Sequence, residues 1–455
     1  MRKILFAALN SSWSQSNLAF YYLREMIRDL DYESILRSYT LKEPLMQVME
    51  DIYRQQADVI CFSAYIWNRL FLQSLHRELL KILPETIFVI GGPEAVHFKN
   101  IRNTIVIEGA GEAAFRELAI SNFSLQDCGH SNPDPLPLNK IPFPYRDEDK
   151  ADLEDHLLYY ESYRGCPYRC AYCLSANDQR QEARFDLPKD TKLLYQELDA
   201  LCRLRPRTIK FIDRSFNVQK ALAHAIWQYA IEFGEGQEFH FEIYPDLLDE
   251  QDLQILEQMP EGRIRFEIGI QSINRDVLKT CGRNSAWEKS KSALIALKER
   301  TKIRIHADLI AGLPKEDYAS VLRSLNELCK CEPAAVQLGS LKILADTPMQ
   351  EIAESRGYLF LDNPPYQVLA SDALSYEEMR KLDNFAHLLN LYWNKEEYPQ
   401  LWHELLQKYS ASQILTALKD IHQQNNLPLH SISKKRRAEV MDILSDQMIP
   451  GFLSP

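Results

Sequence analysis

No run of the roughly 18–20 consecutive apolar residues that a membrane-spanning helix requires occurs in the 455-residue sequence. The opening stretch MRKILFAALNSSWS also lacks the long apolar core and small-residue cleavage site of a secretory signal. Its first apolar run therefore reads as a strand, and the expected location is the cytoplasm, away from any membrane. An excess of positive charge is missing too. Fifty-three Lys and Arg against 64 Asp and Glu give a net charge of −11, which argues against a broad nucleic-acid surface and favours a small molecule or small peptide as substrate. In a reducing compartment nine cysteines are thiols or metal ligands rather than disulfides. There is no internal repeat and no low-complexity tract. The compact basic run Lys434, Lys435, Arg436 and Arg437 reads as a solvated turn ahead of the last helix.

What is present is an ordinary globular composition, 45% hydrophobic and 26% charged, in a chain long enough for three units, or two. Short apolar runs alternate with amphipathic stretches over residues 1–122: KILFAALN, a helix over about 17–29, ADVICFSAY, a helix over about 68–81, TIFVIGG, TIVIEGAGE and a helix from about Glu112 to Ile120. That alternation predicts an α/β, doubly wound, Rossmann-like domain with a parallel sheet. Residues 123–154 read as a linker, because Pro133, Pro135, Pro137, Pro142 and Pro144 remove backbone donors and block helix. Over residues 155–345 six strand-like runs (LLYYESY, TIKFID, EFHFEIY, RIRFEIGI, KIRIHADLI, AAVQLGSLKI) are spaced for strand–helix repeats and predict a partial (β/α)6, TIM-like barrel. In such barrels function collects at the carboxyl ends of the strands. Residues 346–455 read as helices without strands, with Trp393, Tyr398, Trp402 and Tyr409 as core packing.

The sharpest signal is YRGCPYRCAYC, directly after the first barrel strand. Cys166, Cys170 and Cys173, separated by three and then two residues, can face one point from a single loop. A structural zinc would take four ligands, and no fourth Cys or His lies in the loop. Three thiolates on a four-iron cluster leave one iron open to a substrate; a zinc loop or three buried thiols are the alternatives. The spacing, with the aromatic Tyr172 before the last cysteine, resembles the radical S-adenosylmethionine superfamily. That resemblance, over about residues 155–345, implies that the open iron chelates S-adenosylmethionine and that one electron splits it to a 5′-deoxyadenosyl radical. It also implies an external one-electron donor such as flavodoxin or ferredoxin.

The branch holding the oxygen-independent coproporphyrinogen oxidases binds S-adenosylmethionine through a glutamate, a glutamine, an arginine and an aspartate. Similar residues stand here in order: Glu242 in HFEIYPDLL, Gln271 in FEIGIQSIN, Arg283 in LKTCGRN and Asp308 in HADLIAGLP. A guanidinium can pair with the methionyl carboxylate, a carboxylate can accept from the ammonium, and Gln271 and Asp308 can hold ribose hydroxyls. One departure stands out: the family's glycine-rich segment after the second barrel strand is replaced by FIDRSFN, where Asp213 and Arg214 either do related work or form a structural ion pair.

A doubly wound domain ahead of such a barrel resembles the cobalamin-binding domain of cobalamin-dependent radical enzymes. GGPEA, with Gly91 and Gly92, follows one strand, and Glu108 and Gly109 open the similar word EGAGEAAF. Glycines permit close backbone approach to a bulky ligand, and equally make tight strand–helix turns. The Asp-x-His-x-x-Gly motif that donates a histidine to cobalt is absent; the loop reads LNSSWSQSNLAF. Tyr65, Trp67 and Arg69 are the candidates to cover the lower cobalt face. Together these resemblances imply a methylase using a [4Fe-4S] cluster, S-adenosylmethionine and cobalamin. Oxidation, cyclisation or rearrangement by the same radical is the second reading, and a non-catalytic redox or corrinoid-binding protein the third.

Overall fold

The computed structural model describes residues 2–124, 134–178, 180–234 and 236–450; Cys128 and Pro133 lie outside them. The chain forms two compact units, Met1–Arg164 with Glu182–Ile212, and Gly165–Gln181 with Asp213–Pro455.

The first unit opens with β1 (Arg2–Asn10), α1 (Leu18–Met26), β2 (Tyr32–Thr40), α2 (Leu45–Gln55), β3 (Val59–Ser63), α3 (Arg69–Ile82), β4 (Ile87–Gly91), β5 (Thr104–Val106) and α4 (Glu112–Ile120). The strands pair in parallel in the order β2-β1-β3-β4-β5. Alternate residues of the central strands feed two cores. Leu5, Ala7, Leu9, Ile60 and Phe62 pack on one face, and Ile4, Phe6, Ala8, Val59 and Cys61 on the other. A sheet covered on both faces needs such continuous apolar strands. The sequence reading missed β2 and α2. YESILRSYT is an edge strand, mostly half-exposed, so it carries neither the apolar run nor the strict alternation that marks a buried strand.

The proline-rich stretch is pinned to this unit. Arg24 makes a bidentate pair with Asp149 at 2.6 and 2.7 Å and donates to the Pro144 carbonyl, while the Tyr145 hydroxyl donates to Tyr159 at 2.6 Å. The unit continues with α5 (Lys150–Leu153), β6 (Leu157–Tyr160), the antiparallel pair β7 (Tyr163–Arg164) and β8 (Glu182–Ala183), α6 (Thr191–Arg203) and β9 (Thr208–Phe211), parallel to β6.

The second unit alternates α7 (Lys220–Glu232), β10 (Glu238–Ile243), α8 (Glu250–Leu256), β11 (Ile264–Gln271), α9 (Arg275–Thr280), α10 (Trp287–Arg300), β12 (Arg304–Ala311), α11 (Tyr318–Lys330) and β13 (Ala335–Ser340). Its four strands pair in parallel in chain order, so six strand–helix strands stand at the six expected runs, two in the first unit and four in the second. Phe239, Phe241, Phe266, Ile268, Ile305 and Ala307 are buried on the apolar face. The period of two puts Glu242, Glu267, His306 and Asp308 on the other.

Beyond lie α12 (Pro348–Ser355), the antiparallel pair β14 (Leu359–Phe360) and β15 (Val368–Ala370), α13 (Tyr376–Leu388), a π turn over Leu389–Trp393, α14 (Pro399–Lys408), α15 (Ala411–Gln424) and α16 (Lys434–Met448). The region is helical as expected, but β14–β15 corrects the reading of helices alone. Strands of two and three residues are too short to show a period. The basic run is likewise not a turn ahead of the last helix but the first turn of α16, where Arg437 holds Glu397 at 2.9 and 3.0 Å. Trp393 and Trp402 are buried with ring centroids 4.9 Å apart.

Candidate functional site

In the second unit the cysteine loop is closed by backbone contacts that only glycine permits. Gly165 has φ +97°, and a β-carbon there would overlap the Arg180 carbonyl oxygen. Gly282, at φ +68°, lies so close that its β-carbon would be 2.8 Å from the Arg169 carbonyl oxygen. The Ala171 amide donates to Cys281 at 2.8 Å, the Met349 amide donates back to Ala171 at 3.0 Å, and the Cys173 amide donates to Cys170 at 3.0 Å. The loop is thus held by the 281–283 turn and by the start of α12.

Cys166 and Cys170 are buried and Cys173 is half-buried. Burial pushes the Cys166 thiol above its ordinary value, and Cys173 and Cys170 push it the same way. Cys166 therefore lies within electrostatic reach of the other two thiols. Among the described residues no three His, Cys, Asp or Glu side chains gather to the spacing of a single-ion site. Cys166, Cys170 and Cys173 put three thiols on one loop, the donor set that a polynuclear group with one open metal would take. A fourth cysteine is near in space: Cys281, fully buried, has its thiol pushed up to about 12 by burial and by Cys170. Sequence reasoning missed it, and also missed Ser215, whose hydroxyl lies 3.9 Å from the Cys166 sulfur. Both reach the loop from distant segments, with no spacing to reveal them.

Arg283 stands beside this loop. It donates through Nη2 to the Gly269 carbonyl and lies 4.7 Å over the Tyr244 ring, which stacks on Tyr168 at 4.3 Å. Burial disfavours its charge, but Tyr172, Tyr244 and Cys170 more than offset this, so its basicity is raised. Asn217 fixes Tyr244 by exchanging two hydrogen bonds with its backbone at 2.9 and 2.8 Å.

Tyr172, Gln271 and Asp308 line one cavity of about 550 Å³. Gln271 reaches it by a bulge: the β11–β12 register shifts between Gly269 and Gln271, and Gln271 takes φ +68°. A β-carbon on Gly269 would collide with the Gln271 amide, so Gly269 makes room for that side chain. Gln271 Oε1 is buried without a hydrogen-bond partner among the described residues, an acceptor that a ligand hydroxyl or amine would fill. Glu242, half-buried on β10, Arg283 and Asp213 lie outside the lining of this cavity. Asp213 is 1% exposed while Arg214 is exposed.

In the first unit the strand order turns back between β1 and β3, and the crevice at the carboxyl ends of those strands is where open α/β sheets take ligands. Tyr65 and Trp67 follow β3 with rings stacked at 4.3 Å and 7°, and Trp67 is 49% exposed. Trp13, which the sequence reading did not single out, follows β1, is 67% exposed and packs on His156 at 4.2 Å. These planar surfaces suit a large flat ligand. Gly109 has φ +75° with open space where a side chain would stand. Three other candidates have structural work. Gly92 leaves room for the Ala64 backbone, 2.6 Å from its would-be β-carbon; Arg69 is buried against Glu94 at 3.1 Å; and Glu108 pairs with Lys99 at 2.8 Å on the surface.

Comparison with known proteins finds family matches in three parts of the chain. Residues 160–328 match the Radical SAM superfamily, residues 4–119 the B12 binding domain, and residues 354–441 a family described as "Protein of unknown function (DUF4080)". The oxygen-independent coproporphyrinogen III oxidase of Paracoccus denitrificans is 27% identical over 164 residues, 34% of this chain and 35% of that protein. The cobalamin-dependent radical SAM methyltransferase TokK of Streptomyces tokunonensis is 23% identical over 359 residues, 70% of this chain and 52% of that protein. The chain thus spans about a third of the first relative and about half of the second. Among solved structures, OxsB, a cobalamin-dependent S-adenosylmethionine radical enzyme, matches with TM-score 0.68 at 14% identity, covering 99% of this chain and 79% of that one. The radical S-adenosylmethionine methyltransferase TsrM from Kitasatospora setae matches at 0.60 and 16%, covering 80% and 79%. At such identities these two show the fold alone.

Proposed function

We propose, for a chain that joins a B12-binding domain to a radical SAM domain, a cobalamin-dependent radical S-adenosylmethionine enzyme that methylates an unreactive carbon of a small substrate. The observation that carries this reading is the glycine-clamped loop that holds Cys166, Cys170 and Cys173 beside Arg283 and Tyr172, with Tyr172 also lining the cavity of Gln271 and Asp308. Cys166, Cys170 and Cys173 would hold a [4Fe-4S] cluster, and Tyr65, Trp67, Trp13 and Gly109 would face cobalamin. The cluster supplies an open iron and one electron to cleave S-adenosylmethionine, and cobalamin carries a methyl group.

The chain's own part is placement. Gln271 and Asp308 accept and donate at ribose hydroxyls. Arg283 keeps its charge and has guanidinium donors beyond the one given to Gly269, so it can pair with the methionyl carboxylate, while Glu242 accepts from the ammonium. An external one-electron donor, a flavodoxin or ferredoxin, completes the system. The test is anaerobic reconstitution with iron, sulfide and hydroxocobalamin, followed by product analysis with dithionite. We expect retained corrinoid, 5′-deoxyadenosine and S-adenosylhomocysteine; no retained corrinoid overturns the cobalamin assignment. The Arg283→Ala variant should lose cleavage at least a hundredfold, and cleavage at the parent rate with unchanged affinity removes Arg283 from the site.

The similarity to coproporphyrinogen oxidases favours a second reading, radical oxidation or rearrangement without methyl transfer. It predicts 5′-deoxyadenosine with no S-adenosylhomocysteine.

A further inference from the structure

The cavity lined by Tyr172, Gln271 and Asp308 is completed by the end of β13 and by α13, and α13 lies inside the stretch that matches the family described as of unknown function. Its chemistry there is unlike that of the strand side. Asp383 on α13 accepts from Ser340 Oγ at 2.7 Å, Gln367 Nε2 at 3.2 Å and Arg380 Nη1 at 2.6 Å. A carboxylate with three such donors is committed to the protein, so Asp383 acts as a pin that fixes Arg380 on the cavity wall. Arg380 has used one edge of its planar fork and keeps further N–H donors. Lys342 and His387 line the same wall, and neither makes an ion pair among the described residues.

Charge decides what this wall can receive. Asp383 is neutralised by Arg380. Asp308, at the end of β12, is kept for the ribose of S-adenosylmethionine on the function proposed above. Lys342 is then the lining cation with no ion pair among the described residues, and with the remaining N–H donors of Arg380 and the His387 ring it offers donors suited to the oxygens of one anion. We propose that Lys342, Arg380 and His387 bind the anionic group of the substrate, and that the molecule acted on is a small compound bearing a carboxylate or a phosphate. Asp383 is the positioning residue of this site. The α13 region would thus be the specificity element of the enzyme, and the proposal rests on the function proposed above.

The test uses the full chain, cluster-reconstituted and saturated with S-adenosylmethionine, titrated calorimetrically with pyrophosphate and separately with succinate. We expect one of the two to saturate a single site. Arg380→Gln and Lys342→Gln should each weaken that anion at least tenfold, Arg380→Lys should weaken it less, and the dissociation constant of S-adenosylmethionine should move less than twofold. Saturation by pyrophosphate alone assigns a phosphate, and by succinate alone a carboxylate. If neither anion saturates, or if the variants weaken S-adenosylmethionine in parallel, the proposal is wrong and these cations serve another role. A parent protein that binds no S-adenosylmethionine at all would instead overturn the functional reading on which the proposal stands.

Discussion

Two single residues bear the clearest physical demands. Gly165 sits immediately before the first cysteine, in a left-handed conformation and against the Arg180 carbonyl, so no other residue fits without opening the loop. Gly165→Ala should therefore reconstitute less than a tenth of the parent's iron per chain, while far-ultraviolet circular dichroism stays native-like; full loading would show that the loop can relax. Glu316 is buried beneath the Gln271 strand end, where its Oε1 accepts from Ser272 Oγ at 2.5 Å. Burial lifts its carboxyl from the ordinary 4.5 to about 7, with Asp317 adding to the lift and Ser272, Ser320 and Ser324 opposing it. A raised folded value means that stability is fully present below pH 4.5 and is lost as pH rises through 7. The loss is on the order of 3 kcal/mol at most. Glu316→Gln should remove that slope, so thermal melts of parent and variant should diverge between pH 5 and 8 and agree near pH 4.

Among the elements, β11 shows how a strand end comes to line a cavity. The sequence FEIGIQ alternates cleanly, and periodicity alone would aim Gln271 along the polar face with Glu267. The bulge and the positive φ of Gln271 set the direction in which its side chain leaves the strand, and Gly269 gives the space that the side chain takes. A methyl group on Gly269 displaces a flexible side chain rather than backbone. Gly269→Ala should thus lower S-adenosylmethionine affinity about tenfold, the worth of one lost hydrogen bond to a buried acceptor. The melting temperature should hold within a few degrees; unchanged affinity would show that Gln271 makes no contact. The α13 helix, capped by Ser375 in a capping box with Glu378, was legible from its apolar spacing, whereas its Asp383 pin was not, because Ser340 and Gln367 come from other elements.

At the scale of the whole chain, the stretch that looked like a linker anchors the first unit. Arg24 and Asp149, 125 residues apart, are both nearly sealed from water, and removing one partner leaves the other charged and buried. Asp149→Ala should cost about 3–5 kcal/mol of unfolding free energy in urea titration; a change under about 1 kcal/mol would mean that water reaches Arg24. The sequence by itself determined the two α/β halves, the helical end and the three-cysteine loop, because those depend on local period and short spacing. It also pointed to Gln271 and Asp308 through the words around them. Tertiary structure alone decided which glycines pack against backbone and which face open space, separating Gly92 from Gly109 by what stands where a side chain would be. It alone brought Trp13 beside the crevice, placed Cys281 behind the loop, and set Arg380 on the cavity that Asp308 lines. Those relations join residues tens to hundreds of positions apart, and a distance through space leaves no periodic mark along a chain.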